Sequence, residues 1–220
     1  MVRDDPLHER LAAHLTSELR DSDVARELAS AIMQDALSWQ APEFAPERMR
    51  AIFAFTFGNR MLPNGNRVAG PVNERLAECA LRLHRGSGAA VYAQWEIAEL
   101  LHGRIAEDAL TPIFPGRDPR GEPVYLGTGA VIADIAARVG DPASIGPVGV
   151  VAFADHLYRA VAGARQAGFN AWAPVGMAMP AEYDADSGQA WCRSRLAYLL
   201  HDIMLRVADR RAGLVGAGWG

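Results

Sequence analysis

The run Ile52-Phe53-Ala54-Phe55-Thr56-Phe57 is apolar almost throughout, breaks at Gly58-Asn59-Arg60, and re-enters regular structure only after Pro63-Asn64-Gly65. That punctuation predicts a buried strand over Ala51 to Phe57 that ends in a loop before a helix. In α/β proteins, ligands gather outside the carboxyl ends of such strands. The loop carries Asn59, Arg60, Asn64 and Arg67, whose donors suit an anion.

The same alternation recurs down the chain. Pro71 to His84 reads as a helix with Val72, Leu76, Cys79, Ala80 and Leu83 on its apolar stripe, and Ala89 to Ala93 as a second buried strand. Ile97, Leu100 and Leu101 predict a short helix, and the turn-rich stretch from Arg104 to Glu122 a surface excursion. Pro123 to Leu126 reads as a third strand, followed by a helix from Gly127-Thr128-Gly129 to Val139. Gly149 to Phe153 is a fourth strand, Asp155 to Ala167 a helix, and Asn170 to Pro174 a fifth strand. Strands alternating with helices in this way predict a three-layer, Rossmann-like α/β fold on a mainly parallel sheet of about five strands. Before it, residues 1–50 read as an N-terminal helical extension. The α/β domain takes 51–220 and includes a long amphipathic helix from Ser187 to Arg211.

Composition removes several classes of function. With 22 basic and 26 acidic side chains the chain is mildly acidic, so no nucleic-acid surface is expected. No apolar stretch approaches a membrane span, and Met1 to Pro6 leads into no signal core, so a cytoplasmic location away from any membrane is expected. Cys79 and Cys192 form no metal or redox spacing. Every one of the 22 basic residues is arginine. Without lysine there is no Schiff base, no pyridoxal phosphate anchor and no P-loop amine.

Four strand ends carry polar groups, and in a parallel sheet they share one edge. The first supplies Gly58, Asn59 and Arg60; the second Gln94, Trp95 and Glu96; the third Gly127, Thr128 and Gly129; the fourth Asp155, His156 and Arg159. The Gly127-Thr128-Gly129 turn precedes a helix, whose amides and dipole favour phosphate or carboxylate, although it lacks dinucleotide-fingerprint spacing. His156 and Arg159, three apart at a helix start, place an imidazole beside a guanidinium. Glu96 is a candidate general base beside Trp95 as a stacking wall, or else a first-turn carboxylate that complements the helix dipole. No spacing supports a metal site, and no G-x-S-x-G elbow signals a hydrolase triad.

These residues resemble a known family. Phe57-Gly58-Asn59-Arg60, Pro63-Asn64-Gly65 and Asn73 to Leu81 are similar to the opening strand, glycine loop and Arg-bearing helix of the YdcF/SanA/ElyC-like domain. Phe153 to Ala160, with Gly168 beyond, is similar to that family's later strand and its His-x-x-Arg-Ala helix. The likeness runs in order from Ala51 to Pro174. It departs where Gln94-Trp95-Glu96 replaces a Ser-Gly-Gly turn and where Val131 replaces an Asn. The resemblance implies a Rossmann-like fold, a pocket over Gly58, Arg60, Arg75, Thr128, His156 and Arg159, and S-adenosylmethionine as a candidate ligand. Family members of the cell-envelope type carry membrane helices; none is expected here.

The sequence therefore predicts a small-molecule enzyme, a transferase or lyase before a hydrolase. It would bind an anionic or nucleotide-like ligand through arginine clamps, with His156 and Glu96 moving protons. The alternative is a non-catalytic module that senses a metabolite in the same pocket. A homodimer is compatible with either.

Overall fold

The protein is described by a computed structural model covering residues 5–116, 119–120, 124 and 126–217. It divides into two compact units, one of residues 40–199 and one of residues 1–39 with 200–220.

The larger unit is an α/β layer structure. Its strands are β1 (Glu43–Phe44), β2 (Ala51–Ala54), the hairpin pair β3 (Arg60–Met61) and β4 (Arg67–Val68), β5 (Ala90–Gln94), β6 (Leu110–Ile113), β7 (Pro147–Val151) and β8 (Asn170–Pro174). Six of them form one sheet in the order β1-β8-β7-β2-β5-β6, every neighbouring pair parallel. From β2 the chain steps outward through β5 to β6, then crosses back to β7 on the other side of β2 and on to β8. The reversal falls between β2 and β7, and this Rossmann-like order opens its crevice there.

Side-chain alternation explains how two layers of helix attach. Ile52 and Ala54 of β2 point into one core with Leu76, Ala80 and Leu83 of α3 (Gly70–Ser87) and Ile97 and Leu101 of α4 (Trp95–Leu101). Ala51 and Phe53 point the other way, toward Val131 and Ile135 of α5 (Thr128–Val139) and Ala160, Val161 and Ala164 of α6 (Leu157–Gln166). With a side-chain period of two, a strand sandwiched this way must be apolar at every position. α3 packs closely over Gly149 of β7: a Cβ there would lie 2.9 Å from Leu83 Cδ2.

Three sequence expectations change. The strand predicted from Ala51 to Phe57 stops at Ala54, because side chains take over from the ladder beyond it. The expected strand over Pro123 to Leu126 lies largely outside the described residues. The strand beyond β5 is instead β6, within the stretch read as a surface excursion. Leu110-Thr111-Pro112-Ile113 hid its strand character behind a proline, which a sheet tolerates at an edge, and β6 is the edge. The final helix, α7, spans Arg195–Ala217 rather than starting at Ser187.

In the smaller unit, α1 (Pro6–Leu19) and α2 (Ser22–Asp35) form a helical pair whose N-termini are capped by Asp5 and Asp21. Their buried side chains are small or polar: Ala12, Ala25, Ala29, and His8 at 2.9 Å from the Ser30 hydroxyl. Among the described residues no helix is long and apolar enough to cross a membrane.

Candidate functional site

Beyond Ala54 the β2 backbone continues without a regular ladder, and its amides go to side chains from other elements. Phe55 still donates to the Val151 carbonyl (2.9 Å), but the Thr56 amide donates to Gln94 Oε1 (2.9 Å) and the Phe57 amide to Asn73 Oδ1 (2.8 Å). Asn73, wholly buried on α3, also donates to the Gly58 and Ala69 carbonyls at 2.8 and 2.6 Å. A polar residue three before Leu76 and seven before Ala80, on the apolar stripe of a helix, was the available signal for it. Gly58 turns the chain at φ +70°, a conformation that favours glycine.

Glu96 sits in the first turn of α4, between the ends of β2 and β5, and is 5 % exposed. Burial pushes its carboxyl up to about 7, against hydrogen bonds from its own amide, the Asn59 side chain and Thr56. Its Oε2 is buried with no hydrogen-bond partner. A buried carboxyl with an orphaned oxygen carries a desolvation cost that a proton or an approaching donor would relieve. Glu99, one turn on, adds repulsion. Gln94 ties this cluster onward, its amide donating to the Leu126 carbonyl (3.2 Å) just before the α5 N-terminus. Trp95 is half-buried beside it.

On the same rim, Thr128 Oγ1 lies 3.3 Å from His156 Nε2 and accepts from Arg159 Nη1 at 3.2 Å. The Arg159 guanidinium reaches the Tyr198 hydroxyl at 3.4 Å, and the His156 ring meets Phe55 edge-on with centroids 6.1 Å apart. His156 is buried, while Thr128 and Arg159 are half-buried. Gly127 caps α5 in extended conformation, and Gly129 is exposed with open space where a Cβ would go. The predicted pairing of His156 with Arg159 is thus made through Thr128.

The remaining expected residues have partners the sequence did not suggest. Residues 175–194 run as a strap across the carboxyl edge, with a short 3-10 turn at Ala190–Cys192. Arg60 grips Asp184 with two bonds of 2.9 Å and reaches Asp186 at 3.4 Å. Its guanidinium hydrogen bonds hold the Asp184 carboxyl below the usual range. Arg75 binds the Glu182 carboxylate at 3.0 Å. Asp155 accepts from the Tyr183 hydroxyl at 2.8 Å and is forked by Arg195 at 3.0 and 3.1 Å. The Asn59 carbonyl accepts from the Gly188 amide at 2.6 Å. Arg60, Arg75 and Asp155 therefore fasten the strap, and their charges are compensated inside the protein.

Under the strap the switch-point crevice is filled by rings. Phe57 stacks on Phe153 at 3.8 Å, and Tyr183 and Tyr198 meet Phe57 edge-on. The Cys192 thiol lies against Gly58, and burial pushes it up to about 12, which favours the neutral thiol while the strap covers it. Open space begins to one side: a groove of about 800 Å3 between the β3–β4 hairpin and α4, bordered by Arg60, Val68, Glu74, Glu99, Leu100 and Asp186. It adjoins the Glu96 helix rather than the Thr128–His156 pair.

Among the described residues no group of three His, Cys, Asp or Glu is placed to hold a metal ion. What the rim offers is a carboxyl poised to exchange a proton near neutrality, an imidazole–hydroxyl–guanidinium chain, and a helix N-terminus. No family model, no curated protein and no solved structure matches the chain.

Proposed function

We propose that this protein is a cytoplasmic small-molecule enzyme that binds an anionic or nucleotide-like ligand at the carboxyl edge of its sheet. Glu96 carries the proton, and Thr128, His156 and Arg159 bind or polarise the negative end. The observation behind this reading is the buried, unpartnered Oε2 of Glu96 at the ends of β2 and β5, on a carboxyl pushed up to about 7 by desolvation. A group with that pKa changes protonation near neutral pH with little driving force lost in either direction.

S-adenosylmethionine is the first ligand to try. Its sulfonium would satisfy an ionised Glu96, and half-buried Trp95 offers a face for its adenine. The experiment is a thermal-shift screen of the intact protein with this compound, nucleotides and sugar phosphates. Turnover of whatever binds is then compared in wild type, Glu96→Gln and His156→Asn. A ligand that binds only the folded chain raises its melting temperature. The reading expects Glu96→Gln to keep the shift given by nucleotides or sugar phosphates, to weaken the shift given by the sulfonium compound, and to lose product formation by two or more orders of magnitude, roughly the worth of a general acid–base. Unchanged turnover in both variants would remove the catalytic assignment.

The strap favours a second reading. Because Arg60, Arg75 and Asp155 are spent on fastening it, the same site would serve a non-catalytic sensor whose ligand acts by shifting the strap. A tight ligand with no turnover in any condition would select that reading.

A further inference from the structure

The polarity of α7 in the smaller unit runs opposite to that of an ordinary surface helix. Leu200, Met204, Val207, Leu214 and Val215 are 48–72 % exposed. At 100° per residue they fall within an arc of about 100°. The opposite side carries Asp202 and Arg206, which are buried and paired at 2.5 Å. There Arg206 donates to the Ser38 carbonyl at 2.6 Å and lies over the Trp39 ring at 4.2 Å. Arg210, on the same flank, grips Asp35. Polar contacts thus fasten the helix inward, and its apolar stripe faces out.

The spacing of that stripe is specific. Leu200, Met204, Val207, Arg211 and Leu214 follow one another at intervals of 4, 3, 4 and 3, the heptad spacing of a coiled-coil seam. The seam is about 21 Å long. With Val215 beside it, the stripe's five outward apolar side chains, 48–72 % exposed, present roughly 500 Å2 per copy. With the polar rim a helix pair adds, this approaches the ~800 Å2 per partner of a standard interface. The stripe carries no acidic residue to match a basic partner, and one cation, Arg211, to oppose a parallel copy of itself. Antiparallel packing resolves this. With Met204 of one helix opposite Val207 of the other, each Arg211 meets the partner's Leu200 layer. The two guanidinium groups are then spread to roughly 16 Å along the axis, beyond a physiological Debye length.

We propose that the outward face of α7 is the seam of a two-fold dimer, packed antiparallel on the same face of a second copy. A closed, isologous contact of this kind uses one patch twice. It is independent of the ligand reading above.

The test uses the full chain in sedimentation velocity at micromolar concentration. Wild type is expected at the dimer mass, and Leu200→Glu with Val207→Glu at the monomer mass with unchanged far-ultraviolet circular dichroism. If that pair disturbs the helix, Leu200→Ser with Val207→Ser replaces it. Orientation is read from oxidation: Met204→Cys with Val207→Cys should form a covalent dimer, and Arg211→Cys alone should not. A monomeric wild type, or a dimer that survives the substitutions, overturns the seam. Cross-linking through Arg211→Cys overturns the antiparallel arrangement.

Discussion

Glu96 is the residue on which the proposed chemistry turns. Its position was legible: a carboxylate directly after a buried strand stands where a ligand approaches. Its burial was not, because Asn59 and Thr56, which close over it, lie some forty positions earlier. The raised pKa has a consequence for stability. Between the ordinary value of 4.5 and about 7, the folded chain keeps a proton that the unfolded chain has released. Stability therefore falls as pH rises across that window, by up to about 3 kcal/mol. Glu96→Gln should abolish that slope. The variant should match wild type below pH 4.5 and exceed it above pH 7, as urea unfolding at the two extremes will show. A wild type whose midpoint does not change across the window would mean the carboxyl is hydrated.

Elements were readable where their signals are local, and not where they depend on position in the sheet. The core strands and the helices between them follow from apolar runs and their spacing. The strand β6 does not, since Pro112 is acceptable only because β6 is an edge, and edges are decided by the whole sheet. The strap escaped notice for a related reason: several of its contacts join residues more than a hundred positions apart, as in Arg60 with Asp184 and Arg75 with Glu182. Its tightest point is testable. A Cβ at Gly58 would collide with the Ser187 hydroxyl and sit 3.3 Å from Cys192 Cβ, at φ +70°. Gly58→Ala should cost about 1–2 kcal/mol for the backbone alone, with more from the displaced strap. Calorimetry would show the loss; an unaltered melting temperature would mean that the strap does not press on this turn.

At the scale of the whole molecule, stability rests on the two cores on either side of the sheet. Phe53, with no exposed surface and with Tyr92 and Phe169 packed edge-on against it, belongs to the core under α5 and α6. Phe53→Ala should destabilise the protein by about 3–5 kcal/mol, measured by urea unfolding. A cost below 1 kcal/mol would contradict the packing described. The two cysteines share a less obvious property. Cys79 donates to the carbonyl of Ala178 and Cys192 rests on Gly58, so the strap touches one and contains the other. Every opening of the strap should bare both sulfurs. A thiol reagent added to the native protein would then record how often the edge of the sheet is uncovered, without any label being introduced. Asp184→Asn, which loosens the Arg60 clasp, should make both react several-fold faster. A ligand that seals the site should slow them.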